Sequence, residues 1–413
     1  MIMALVVMAI TFTVGAGFLA FSRSAYQIGQ SAADADRAFY LTQSGLAIAR
    51  YQLTAAFGTY PGTTGPPDIN FGGGTIAIAV EPRDGQGRRR VTVTSTVRNV
   101  RQQAVKIYKT ILTRVEACWV LSGTNLVKIT ADGKILVSQP LPSFSYAMAA
   151  NAADGSAWVG DGDGVIKVAA DGSVTQNTSF GAGTIAVNST DGSAWAATYT
   201  AGRLGKFNPD TTLAFEKTGL GVALSAVAVD PSSGDCLLVL STTLLQFDAS
   251  GNQSPFTFTF GGTGAAARLN GLWFVADYRT GTVKGHAFDN AGTIWVNSYP
   301  GYLAALSISV DPGDRSLWIA NYDDRRVIKV AAASGAPLAS IAIPGNPDVV
   351  SVDPTTGSCW IGTDGEGSLL KVDRDGSNLT NVCGVRVNTG TYQGVHPLAA
   401  TWAIVPQVVE DSL

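Results

Sequence analysis

VDPTTGSCWIGTDGEGSLLKVDRDG, residues 352–376, holds three features that return along the chain. An Asp-Pro or Asn/Asp turn comes first, as at Asp230, Asp311 and Asp353, with looser forms at Asn151 and Asn188. A large apolar residue follows, reached through G-S-A-W at Gly155–Trp158 and Gly192–Trp195 and through shorter relatives elsewhere. These anchors are Trp119, Trp158, Trp195, Leu237, Trp273, Trp318 and Trp360. Nine or eleven residues later comes a lysine or its stand-in: Lys128, Lys167, Lys206, Gln246, Lys284, Lys329 and Lys371.

A period near 40 residues, filled with short alternating runs and turn residues, describes a four-stranded antiparallel unit. One such unit cannot bury both faces alone, so the units must stack around an axis as the blades of a β-propeller. The anchors predict seven blades over 117–406, with eight if Trp402 marks another and six if one weak unit is a loop. The first unit starts at its tryptophan strand and VHPLAATWAIVPQ (395–407) is left over, so the C-terminal strand is expected to complete the first blade and remove open edges. Residues 407–413 are read as a tail. The repeats resemble those of NHL and YVTN-type propellers; the tryptophans are not in the W-D pairs of WD40 repeats.

Residues 1–57 have another character. Met1–Ser22, MIMALVVMAITFTVGAGFLAFS, carries no charge. Helical composition then continues without proline to Phe57, with Phe39, Leu46, Ala49, Leu53 and Phe57 at one-face spacing. About 20 apolar residues are enough to cross a bilayer, which makes 1–22 a candidate membrane segment. After it, TIAIAVEP, RRRVTVTSTVRN and QQAVKIYKTILTRV alternate apolar and polar residues, predicting a small antiparallel head over 58–116 with a turn at Asp84-Gly85.

The opening ALVVM and the later RAFYLTQSGLAIARYQL resemble the minor pilins and pseudopilins of type IV pilus and type II secretion systems. The resemblance implies an α+β stem: a helix whose apolar half lies first in the membrane and then in a filament core, and whose second half packs on its own sheet. Leu5, Val6, Val7, Ile10, Phe12, Phe18, Leu19 and Phe21 would be the filament and membrane residues. Leu5 stands where major pilins carry an acid, which favours a minor over a major subunit without deciding between them, and no basic leader ending in glycine precedes it, so the sequence is read as mature or as starting late.

Composition narrows the chemistry. A net charge of −3 with 14% charged residues does not fit electrostatic gripping of nucleic acid. Four cysteines, Cys118, Cys236, Cys359 and Cys383, form no C-x-x-C pair, so zinc is not expected; they read as small buried hydrophobes, with one or two disulfides as the alternative. The two histidines, His286 and His396, occur without a G-x-S-x-G element. Asp132, Asp171, Asp230, Asp311, Asp353 and Asp375 fall in repeated turns, where carboxylates bond their own backbone. GDGDG (160–164) and NYDDRR (321–326) are oxygen-rich but lack EF-hand spacing. No catalytic residue, cofactor or metal is therefore expected. The leading expectation is a structural subunit of an extracellular pilus-like filament of a prokaryote, meeting other subunits through its helix and displaying the propeller for adhesion or ligand binding. The alternatives are a membrane-anchored periplasmic enzyme or ligand-binding propeller, and an assembly factor of a secretion pseudopilus.

Overall fold

The computed structural model describes residues 2–55, 69–84, 86, 88–122, 124–143, 145, 147–199, 201–221, 224–240, 243–259, 265–269, 271–277, 282–287, 292–298, 307–364, 368–382 and 398–411. Phe57, Gly85, Cys383 and His396 lie outside them. The chain divides into two compact units, one made of 1–113 with 404–413 and the other of 114–403.

In the first unit, Ile2–Ala55 is one helix of 54 residues, α1, about 80 Å long at 1.5 Å per residue. Strands Ile69–Phe71, Gly74–Val80, Arg88–Val97 and the first part of Val100–Ser122 pair antiparallel in chain order. Val91, Val93 and Val97 are buried and alternate with partly exposed Thr92 and Thr94, the period of a strand with one covered face. The cover is the second half of α1: Ala38, Leu41, Leu46, Ala49 and Leu53 form one core with Ile76, Ile78, Val91, Val93 and Val97. The expected helix face is corrected at Phe39, which is 46% exposed. Gly45 explains the register, because a Cβ there would lie 2.5 Å from Val93 Cγ1 and 2.7 Å from Ile76 Cγ2. Thr42 bonds Ser95 at 2.7 Å, and Ser95 Oγ donates to the Ala38 carbonyl at 2.6 Å, so the polar groups at this seam satisfy one another.

The expectation of a membrane-crossing 1–22 is corrected: among the described residues no helix is long and apolar enough to cross a membrane. The uncharged run ends at Arg23. The helix does not break at the two glycines. Phe12, Phe18, Leu19 and Phe21 are 70–81% exposed; for Leu5, Val6, Val7 and Ile10 only the helical backbone is described.

The second unit is a β-propeller of six four-stranded blades, I–VI, at 147–177, 184–217, 224–259, 265–298, 308–342 and 346–381. Seven blades were expected. The unit at Trp119 is not a separate four-stranded sheet: its strand Val100–Ser122 continues the pairing that begins at Ile69 and also pairs with Leu398–Asp411. That last strand includes residues 407–411, so most of the expected tail is strand.

The short repeat motif has a backbone cause. Gly155, Gly192, Gly234 and Gly357, three residues before Trp158, Trp195, Leu237 and Trp360, have φ between +72° and +76°. An L side chain is strained there, and glycine is not. In blade IV the positive-φ residue is Gly271, so the third residue on is Phe274 and not Trp273. Phe274 accordingly packs forward with Leu317 and Ile319 of blade V, while Trp273 packs back with Leu237 and Val239 of blade III. The blade IV anchor is therefore Phe274, a correction to Trp273.

Gly45→Ala is expected to destabilise the first unit by about 1–2 kcal/mol, because overpacking against Val93 and Ile76 exceeds the helix-propensity gain of about 1 kcal/mol. Gly29→Ala, which has nothing within 4 Å, keeps that gain without the clash. Urea titrations followed by circular dichroism should show the two shifts with opposite sign.

Candidate functional site

Two places could carry function: the junctions between blades together with the ring centre, and the uncovered half of α1. At the junctions Trp119, Trp158, Trp195, Trp318 and Trp360 are fully buried, and each lies directly across a strand pair from a lysine: Lys128, Lys167, Lys206, Lys329 and Lys371. Four of these ammonium groups sit 5.0–5.6 Å from the centre of their indole ring. They then reach forward to a turn in the next blade. Lys128 Nζ donates to Gly155 O at 2.9 Å, Lys167 to Pro209 O at 3.1 Å and Lys206 to Ala249 O at 2.8 Å. Lys329 bonds Arg374 O and Asp314. Lys371 pairs with Glu116 at 2.7 Å, joining blade VI to the strand that carries Trp119.

Blades III and IV depart from this pattern. Leu237 and Gln246 replace the pair in III. In IV the register sets His286 across from Trp273 and Lys284 across from Val275, so Lys284 is not in the staple position expected of it. The cation there is Arg268, over the Trp273 ring at 4.4 Å and paired with Asp230 of blade III at 2.5 Å. Sequence reading missed Arg268 because it comes from the first strand of its blade, outside the lysine spacing.

The first strands of successive blades lie beside one another around the centre. Two of them are built largely from small residues, AMAA at Ala147–Ala150 and AAARL at Ala265–Leu269. Their hydroxyls serve neighbouring strands. Ser307 Oγ donates to Val350 O at 2.7 Å and accepts from Val350 N at 2.8 Å, Val352 N donates to Ser309 Oγ at 3.0 Å, and Ala400 N donates to Ser351 Oγ at 2.9 Å.

The turn carboxylates are similarly occupied. Asp171, Asp230, Asp311, Asp353 and Asp375 each accept a backbone N–H two residues on, at 2.8–3.0 Å. Asp132 instead takes the Thr130 hydroxyl. Asp161 accepts from Ser143 Oγ at 3.0 Å and Asp163 N at 3.2 Å, and Asp324 accepts from Asn321 Nδ2 at 2.9 Å. Among the described residues no group of three or more His, Cys, Asp or Glu could hold a metal. Cys118, Cys236 and Cys359 are buried free thiols.

The uncovered half of α1 differs in kind. Met8, Phe12, Val14, Phe18, Leu19, Phe21, Tyr26 and Ile28 are 66–81% exposed within 21 residues. A soluble monomer seldom shows an apolar patch beyond a few hundred Å².

Comparison with known proteins supports the propeller and gives no help with α1. No family model matches the chain, and no curated protein matches it. A functionally unknown protein from Desulfotomaculum acetoxidans DSM 771 superposes with a TM-score of 0.57 at 14% identity, over 70% of this chain and 98% of the other. Apo AztD from Citrobacter koseri gives 0.53 at 9% identity, over 71% and 99%. Kuenenia stuttgartiensis hydrazine synthase gives 0.51 at 12%, over 62% and 90%. At these identities the likeness defines a fold class, a β-propeller, and nothing narrower. The pilin-like expectation for 1–57 gains no support from them.

Two outcomes test the junctions. Burial lowers the Lys128 ammonium from its ordinary 10.5 to about 8. The native state then binds fewer protons than the unfolded chain between about pH 8 and 10.5, so this group makes stability rise with pH across that window, by up to about 3 kcal/mol. Wild type should gain on Lys128→Met by that amount from pH 7.5 to 10.5 in urea titrations; a constant difference would show a native amine that stays charged. Burial also pushes the thiols of Cys118, Cys236 and Cys359 up. These three should resist a thiol-titrating reagent at pH 8 until denaturant is added.

Proposed function

We propose that this chain is a non-enzymatic subunit, minor or terminal, of a type IV pilus-like filament on the surface of a prokaryotic cell. The uncovered half of α1 packs among the helices of other subunits, and the propeller is displayed outside for adhesion or ligand binding. One observation carries the reading: a single unbroken helix is covered by its own sheet from Ala38 to Leu53 and shows bulky apolar side chains to solvent from Met8 to Ile28. The resemblance of RAFYLTQSGLAIARYQL to pilin helices adds to it. What supports a non-enzymatic propeller is that its repeated turn carboxylates, and the hydroxyls of Ser307, Ser309 and Ser351, are engaged in turns and between strands.

We further infer that the Trp119 strand, the two strands that follow it and Leu398–Ala403 complete the ring as a seventh sector. Cys118, Val120 and Ile129 share a core with Trp360, Leu369 and Ala400 on one side, and Trp119, Leu121 and Leu126 share one with Ala157, Val159 and Ile166 of blade I on the other. Trp402 Nε1 also donates to Ala152 O at 2.6 Å.

Surface filaments sheared from cells producing the full chain should contain it and show propeller-sized density along their length or at their ends. Phe18→Asp with Phe21→Asp should lower its recovery in filaments at least tenfold while leaving the propeller's thermal transition in place. Filaments that never contain the chain, or that retain the double variant fully, would overturn the reading.

A further inference from the structure

We propose that residues 404–411 are a docked strap, which fills a peptide-binding slot on the first unit and makes completion of that unit conditional on completion of the propeller. This goes beyond the filament reading and stands without it. The first unit is discontinuous, because it takes in 404–413, the last residues of the chain. Leu398–Asp411 is one strand of 14 residues, paired with Val100–Ser122. Two contacts give the register. Lys106 Nζ donates to Glu410 Oε1, and the Arg114 guanidinium lies 4.5 Å from the centre of the Trp402 ring. The contacts are eight residues apart on each strand and run in opposite directions, as in an antiparallel pair. On that register 404–411 lies beside 105–112.

The two halves of this strand are held differently. In the second unit Ala399, Ala400, Thr401 and Ala403 are buried, and Trp402 Nε1 donates to Ala152 O at 2.6 Å. In the first unit the strap lies on a matching edge. Residues 105–112 read VKIYKTIL, rich in β-branched and aromatic residues, and part of this run already pairs with Arg88–Val97 along its other edge. An open edge on such a segment is a template for any extended chain.

Charge selects the occupant. Residues 1–113 carry eleven Lys and Arg against five Asp and Glu, and Lys109 stands across from Arg88. Like charges directly opposite one another destabilise a sheet. The strap brings two acids to this place, Glu410 and Asp411. Pro406, which lacks an N–H, suits the outermost strand of a sheet. The slot therefore takes an extended peptide with acids at its C-terminal end.

All six blades lie between slot and strap in the chain, so the strap is made after them. A chain with an unfinished ring has no strap to offer, and its first unit keeps an open edge. The dependence runs one way, since the ring is held by residues before 404.

Hydrogen exchange read by mass spectrometry on the full chain tests this. Val408→Pro with Val409→Pro removes adjacent N–H groups from the strap. Amides of 105–112 should then exchange at least tenfold faster, while those of the six blades keep wild-type protection. A synthetic peptide of residues 404–413 should bind this variant and restore protection, and should bind wild type at least tenfold more weakly. Unchanged exchange at 105–112, or equal binding of the peptide by both proteins, would overturn the strap. Faster exchange throughout the blades would show that the ring needs these residues and sink the one-way dependence. A gentler pair of changes guards against misfolding. Lys106→Glu and Glu410→Lys should each speed exchange at 105–112, and the two together should return it toward wild type; additive losses would refute the charge match.

Discussion

The propeller depends on one repeated interaction, an indole driven from one blade into the core of the next and backed across the strand by a lysine. Trp158 enters the core of blade II, Trp195 that of blade III and Trp318 that of blade VI. A blade has two apolar faces and no core of its own, so most of its stability is borrowed from its neighbours. The lysine adds direction to this. At four junctions its ammonium group sits over the indole ring and ends on a carbonyl of the following blade, which ties the two blades together. A buried ammonium is costly by itself, and the staple compensates by giving it a ring face and a hydrogen bond together.

At the centre of the ring the described first strands are engaged with one another. The first strands of blades I and IV are alanine-rich, and Ser307, Ser309 and Ser351 bond the backbone of the adjacent strand. Carboxylates at the strand ends are held by the turns that the folding of each blade requires. Arg268 is the exception in origin but not in role: it joins Asp230 of blade III to Trp273 of blade IV, at the junction where no lysine stands in the usual register.

In the first unit a different constraint governs. Gly45 lets α1 settle against Val93 and Ile76, and the Thr42–Ser95–Ala38 bonds fix its rotation. Only the half of the helix above the sheet is used in this way. The other half shows bulky apolar side chains to solvent from Met8 to Ile28.

The repeat period, the turn glycines and the tryptophan–lysine spacing could be read from residues alone, because each reflects local backbone geometry that recurs wherever the motif does. Reading failed where a local count and a tertiary register diverged. G-L-W at 271–273 looks like an anchor, but one residue fewer after the positive-φ glycine moves Phe274 into the forward slot. The helix face was misread at Phe39 because spacing alone does not tell which side the sheet covers; Gly45 decides it, and its significance appears only beside Val93 and Ile76. The blade count differed because pairing, and not the repeat, determines which strands share a sheet. The sequence by itself therefore determined that the chain is a helix followed by stacked four-stranded units, since those follow from period and turn chemistry. Which faces are covered, which cations staple which blades and where the first and last strands belong were decided by tertiary structure, because they depend on contacts between residues tens to hundreds of positions apart.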